Sequence, residues 1–138
     1  MHHIKKVVEI TIQAENKPGL LAEITGALAA EGVNINTLCA YSMEGKAFFM
    51  MITSDNGKVE DIAGKKGWKT IEREVVTVAL KNEVGAAKGI AEKVKDIDLC
   101  YAYGTNCSCI DDKCDTSCES RIVLCAENAA DKIVEALK

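Results

Sequence analysis

Only one proline, Pro18, two histidines and one tryptophan occur in the 138 residues, and aromatic residues make up 4%. So few aromatic rings exclude a base-stacking platform for single-stranded nucleic acid. No apolar run approaches the ~20 residues that a membrane-spanning helix needs. The start, Met1-His2-His3-Ile4-Lys5-Lys6, has no apolar segment of signal-peptide length, so the expectation is a cytoplasmic protein with no membrane partner. Positive charge is also in short supply. The formal net charge is −4, with no basic stripe for binding nucleic acid. Both histidines stand at the terminus, where a disordered end or a cloning remnant is their simplest reading. There is no G-x-S-x-G, H-E-x-x-H or Walker-type glycine loop. Without an acid–base pair or activated nucleophile, the expectation is that the protein is not an enzyme.

What is present is a core-forming composition, 48% hydrophobic and 28% charged, together with seven cysteines. Lys6 to Ala14 alternates apolar and polar residues with period two, the pattern of a half-buried strand. Asn16-Lys17-Pro18-Gly19 reads as a turn. Leu20, Leu21, Ile24, Ala27 and Leu28 then follow at helical spacing, and Gly32 stands just past the helix end. Val33 to Ser42 is a second strand, and Glu44-Gly45 turns it into a third at Ala47 to Ile52. Asn56 to Lys66 is a second helix closed by Gly67, and Trp68 to Leu80 is extended. Gly64-Lys65-Lys66-Gly67 is basic, but as the end of a helix it is most simply a solvated terminus.

The pattern then starts again. Asn16, Gly19, Ile24 and Leu28 match Asn82, Gly85, Ile90 and Val94 at an offset of 66. Ile35, Ala40 and Tyr41 match Ile97, Ala102 and Tyr103 at 62, and Asn56 and Ile62 match Asn128 and Val134 at 72. The step from 62 to 72 is a ten-residue addition between the second copy's middle strands, about 104–120. Cutting the long extended segment in its middle gives units over 1–73 and 74–138. At the offset of 72, Trp68 would correspond to a position past Lys138. The second copy is therefore expected to lack its last strand, leaving an edge for a partner to cover.

A glycine turn that feeds a helix leaves outward-pointing N–H groups at the positive end of the helix dipole. Such a turn suits a carboxylate or phosphate, and Asn34 and Asn36 at the next strand could take an ammonium group. The competing reading is a capped strand-to-helix turn with no ligand. The stretch Glu15-Asn16-Lys17-Pro18-Gly19-Leu20-Leu21, followed by Gly32-Val33-Asn34-Ile35, resembles the start of an ACT domain. The whole chain resembles small bacterial and archaeal proteins made of two tandem ACT domains. The resemblance implies an α+β fold of two ferredoxin-like βαββαβ units and regulatory binding of a small ligand, usually an amino acid, between paired domains. It places ligand contacts at Asn16, Pro18, Gly19, Leu20 and Leu21, facing Val33, Asn34 and Ile35. It also implies a homodimer and a possible protein partner. The second copy's loop, Asn82-Glu83-Val84-Gly85-Ala86-Ala87, departs from the motif, with valine for proline and alanines for the leucines.

Cys107, Cys109, Cys114 and Cys118 have the spacing C-x-C-x4-C-x3-C and lie outside that resemblance. Four thiolates so close could hold zinc or an iron–sulfur cluster as a cofactor. Asp111, Asp112, Asp115 and Glu119 oppose this, because a four-thiolate zinc site is already anionic. Two disulfides, free thiols or a redox switch are the other readings. They define a second functional class, a metal- or thiol-responsive protein with the ACT pair as scaffold. Cys39, Cys100 and Cys125 lie in strand patterns and read as small core residues, Cys100 being the likeliest exception.

Overall fold

The computed structural model of the chain describes residues 3–105 and 119–138. Six strands and four helices occur among them, in the order β1 (Ile4–Glu15), α1 (Leu20–Ala30), β2 (Ile35–Met43), β3 (Lys46–Thr53), α2 (Asn56–Lys66), β4 (Lys69–Lys81), α3 (Ala86–Lys93), β5 (Tyr101–Thr105), β6 (Glu119–Cys125) and α4 (Ala130–Leu137). None of these helices is long and apolar enough to cross a membrane.

The chain divides into two compact units. One is Val8–Arg73; the other joins the residues up to Val7 to Glu74–Lys138. Within the first unit the strand order is β2-β3-β1, followed by the first residues of β4. β1 and β3 are antiparallel, from Ile10↔Met51 to Glu15↔Lys46, and β2 is antiparallel to β3, from Met43↔Lys46 to Ile35↔Thr53. Leu20, Ile24 and Leu28 recur on one side of α1 and pack with Ile10, Ile12, Met51 and Val59. Fully burying an aliphatic side chain of this kind stabilises by about 1.5–3 kcal/mol, so this cluster is what holds α1 against the strands. Asp55 caps α2 by accepting from Lys58 N–H at 3.1 Å.

The period-two reading of β1 needs correction. Glu9 is 0% exposed and Thr11 3%, so the middle of the strand is shut from water on both faces rather than one. The Thr11 hydroxyl is buried with no hydrogen-bond partner among the described residues.

In the second unit the order is the start of β1, then β4, β6 and β5. Val76, Val78, Leu80, Ile90, Leu124 and Ile133 form its core. The expected open edge is not there. Ile4 packs against this core, and the His3 carbonyl accepts from Ala79 N–H at 3.1 Å. The chain's own first strand thus takes the place of the missing last one. An unpaired row of β4 peptide groups and an uncovered Ile4 would both be costly, and the pairing removes both.

Candidate functional site

Asn16 ends β1 by donating its backbone N–H to the Gly45 carbonyl at 2.9 Å, which ties the loop to the β2–β3 turn. Gly19 is the N-cap of α1 with φ 84° and ψ −1°, a left-handed conformation that glycine adopts without strain. No side chain caps the helix, so Asn16 is free of that role. Leu20 N–H donates to the Lys17 carbonyl at 3.3 Å and Glu23 N–H to the Gly19 carbonyl at 3.0 Å. Between them, the N–H groups of Leu21 and Ala22 have no partner among the described residues. Asn16, Pro18 and Gly19 are exposed, and Leu21 is 50% exposed. Leu20, at 3%, belongs to the core.

The other half of the expected site lies elsewhere. Asn34 N–H donates to Ser54 Oγ at 2.9 Å, and the Asn34 carbonyl accepts from Ser54 N–H at 2.9 Å. Its Nδ2 donates to Asn36 Oδ1 at 2.8 Å, which leaves Asn34 Oδ1 without a donor among the described residues. Val33 is core, at 6% exposure, and Ile35 is half-buried against it. Lys46 adjoins Glu15 at one end of β3, whereas Thr53 adjoins Ile35 at the other. The seven steps between them span about 23 Å at the usual rise of a strand. Asn16 and Asn34 therefore do not face one another within the unit. The reason is topological: β1 and β2 both run antiparallel to β3, so the end of β1 and the start of β2 lie at opposite ends. Ser54, which fixes Asn34, carries no motif that would single it out in the sequence.

Gly85 repeats the loop in the second unit with φ 87° and ψ −5°. Ala86 N–H donates to the Glu83 carbonyl at 3.3 Å and Gly89 N–H to the Gly85 carbonyl at 3.0 Å. The backbone is the same, yet Glu83 stands where Lys17 does, and Val84, in the place of Pro18, is fully exposed.

Cys107, Cys109, Cys114 and Cys118 fall in residues 106–118, outside the described residues. The residues that flank this segment are held by the β5–β6 pairing, with Thr105↔Arg121 in register. Among the described residues no group of three or more His, Cys, Asp or Glu side chains is placed to hold a metal ion. Cys125 is buried, Cys39 half-buried and Cys100 exposed. Burial, and to a smaller extent the Glu9 carboxylate, push the Cys39 thiol pKa up, away from the reactive thiolate.

No curated protein sequence matches the chain. Its fold resembles the crystal structure of a protein from Bacteroides thetaiotaomicron, with a TM-score of 0.79 at 23% identity over 96% of this chain and 86% of that one. The regulatory subunit of aspartate kinase from Thermus thermophilus, in its ligand-free form, matches with a TM-score of 0.65 at 10% identity over 98% and 93%. The E. coli aspartokinase III structure in complex with lysine and aspartate matches at 0.58 and 13%, over 99% of this chain and 31% of that one. The family model described as "ACT domain" matches residues 8–65, almost the whole of the first unit. Residues 8–65 thus match the ACT-domain family model, and the chain shares its fold with the structures named above.

Proposed function

We propose that the protein is a non-catalytic regulatory protein that binds a free amino acid at the Asn16–Leu21 loop. The observation that carries this reading is the pair of unpartnered N–H groups, Leu21 and Ala22, in the first turn of α1. They point at the position where a carboxylate gains both hydrogen bonds and the helix dipole. Leu21 offers an exposed apolar wall for a side chain. Asn34 Oδ1, an acceptor with no donor among the described residues, suits the ammonium group, but it belongs to the far end of β3. A second copy of the chain, docked so that its β2 start meets this loop, completes the site. The homodimer thus rests on the separation of Asn16 from Asn34 and no longer on an open strand edge. The fold is shared with the regulatory subunit of aspartate kinase from Thermus thermophilus and with 31% of the E. coli aspartokinase III chain, whose structure is in complex with lysine and aspartate.

Isothermal titration calorimetry of dialysed protein with each of the twenty amino acids tests this reading. Saturable heat with one or a few of them is expected, and none with any would end it. The thiol or metal function of Cys107, Cys109, Cys114 and Cys118 is the alternative. Stoichiometric zinc or iron in anaerobically purified protein, together with no amino-acid heat, would put it first.

A further inference from the structure

A cleft of about 310 Å³ opens in the first unit beside the loop. Its floor is Ala14, Leu20 and Trp68, all packed on the first unit's core. Lys17, Lys46, Lys66 and Lys69 line its sides, together with Gln13 and one carboxylate, Glu15. Four separate segments bring these lysines together: the loop before α1, the start of β3, the end of α2 and the start of β4. Gly67 makes this possible. It closes α2 with φ 77° and turns the chain, so that Lys66 and Lys69 flank Trp68, whose backbone N–H donates to the Ala63 carbonyl at 2.9 Å.

The charges do not cancel. Lys46 pairs with Glu15 at 3.3 Å and Lys17 with Glu23 at 3.5 Å. Lys66 and Lys69 have no carboxylate in ion-pair reach among the described residues, so four ammonium groups meet two carboxylates. The whole chain carries −4, which makes this a local reversal of sign. A recess with an apolar floor concentrates such a field and draws in counter-ions. Lysines at the end of a helix commonly answer its dipole, which accounts for Lys65 and Lys66. It accounts for neither Lys17, Lys46 and Lys69 nor the exposed part of Trp68 beneath them.

We propose that this cleft is a second ligand site, for a small organic dianion whose apolar or planar body lies on Trp68 while Lys66 and Lys69 take its charges. The volume is at the small end of ligand pockets, about 300–1,000 Å³, which limits the ligand to roughly one ring and its charged groups. Phosphate esters and dicarboxylates share this chemistry. The cleft shares Lys17 and Leu20 with the Asn16–Leu21 loop, but Asn16, the N–H groups of Leu21 and Ala22, and Asn34 do not line it, so the two readings can fail separately.

Trp68 is the only tryptophan, so its fluorescence reports on the cleft alone. The test titrates the full chain with phenyl phosphate and with isophthalate, using benzamide and phenylalanine as controls and calorimetry as a second readout. Saturable change with a dianion is expected, weakened by added salt, and the stronger of the two dianions names the class. The exposed pair Lys66→Gln and Lys69→Gln should raise Kd about tenfold or more, and Asn16→Ala should leave it unchanged. No response to either dianion in both readouts, an unchanged Kd in the double variant, or an equal response to phenylalanine would overturn the proposal.

Discussion

Gly19 and Gly85 hold nearly the same left-handed backbone, φ 84° and ψ −1° against φ 87° and ψ −5°, at equivalent helix starts. The hydrogen bonds around them agree as well, at 3.3 and 3.0 Å in both units. Yet the side chains beside them differ: Lys17 against Glu83, Pro18 against Val84. The glycine conformation is thus a requirement of the fold, common to both units. Any difference in what the two loops bind has to come from the side chains around it.

Gly19→Ala and Gly85→Ala should each destabilise by about 1–2 kcal/mol, the cost of a Cβ in left-handed backbone. A Cβ at either position would meet nothing within 4 Å, so the loss is conformational, not steric. Asparagine, which tolerates this region better, should lose less. Urea denaturation of the four variants checks the ranking.

The start of β1 should stabilise the second unit. Ile4→Ala is expected to cost about 1–2 kcal/mol, less than a fully buried site, because Ile4 is only half-buried. Removing the residues up to Lys5 also deletes the His3–Ala79 hydrogen bond and bares the edge of β4. Such an edge pairs with other chains. Size-exclusion chromatography of the shortened protein should show self-association beyond the assembly that the full chain forms.

Much of the local structure was readable from residue chemistry. The Glu44-Gly45 turn, α2 from Asn56 to Lys66 with Gly67 behind it, and the glycine-led helix starts all follow from turn and cap preferences that act within a few residues. Long-range facts were not so accessible. Ile4 joins a unit whose other residues begin at Glu74, and no local pattern announces that. The alternation of Glu9 and Thr11 with isoleucines suggests one wet face, because a sequence shows polarity and not access to water. The separation of Asn16 from Asn34 within the unit follows from strand direction, and the expectation of a ligand between paired domains leaves it open which copy supplies each residue. The lysine cleft draws on four segments, and one of them, Gly64-Lys65-Lys66-Gly67, looked like an ordinary helix end.

Thr11→Val should raise stability by about 1 kcal/mol. Valine keeps the branched shape and removes a buried hydroxyl that has no partner among the described residues. A drop in the urea midpoint instead would show that the hydroxyl is satisfied.

Glu60 sits against Glu72, and its carboxyl pKa is raised, first by a hydrogen bond from one carboxyl to the other and then by their repulsion. A raised carboxyl pKa in the folded state means that the native protein holds more protons than the unfolded chain just above the ordinary carboxylate range. Stability should therefore fall as pH rises through that window. Glu60→Gln should raise the urea midpoint at neutral pH and have little effect once both carboxyls are protonated. Midpoints of both proteins across the window test the sign. The group is fully exposed, so the effect should be small and diminished by salt.

If two copies complete each amino-acid site, Asn16→Ala and Asn34→Ala should each abolish binding while the proteins stay folded. The Asn16 side chain caps nothing, and the Ser54 bonds to Asn34 use its backbone. An equimolar mixture should then recover about a quarter of the wild-type sites, because half the dimers are mixed and each mixed dimer has one intact site. Calorimetry of the mixture, with the ligand found for the wild type, gives the count. No recovery would mean that the two residues serve the same copy.

Each long strand has two employments. β1 ends one unit with its first residues and begins the other from Val8; β4 ends the first unit up to Arg73 and begins the second from Glu74. No single cut of the chain can therefore release an intact half. A fragment starting at Glu74 would leave its last strand behind on the other piece. A rearranged gene that placed codons 3–7 after codon 138 would restore it. A tag fused at the amino terminus would likewise be attached to a strand of the second unit, although it is encoded next to the first.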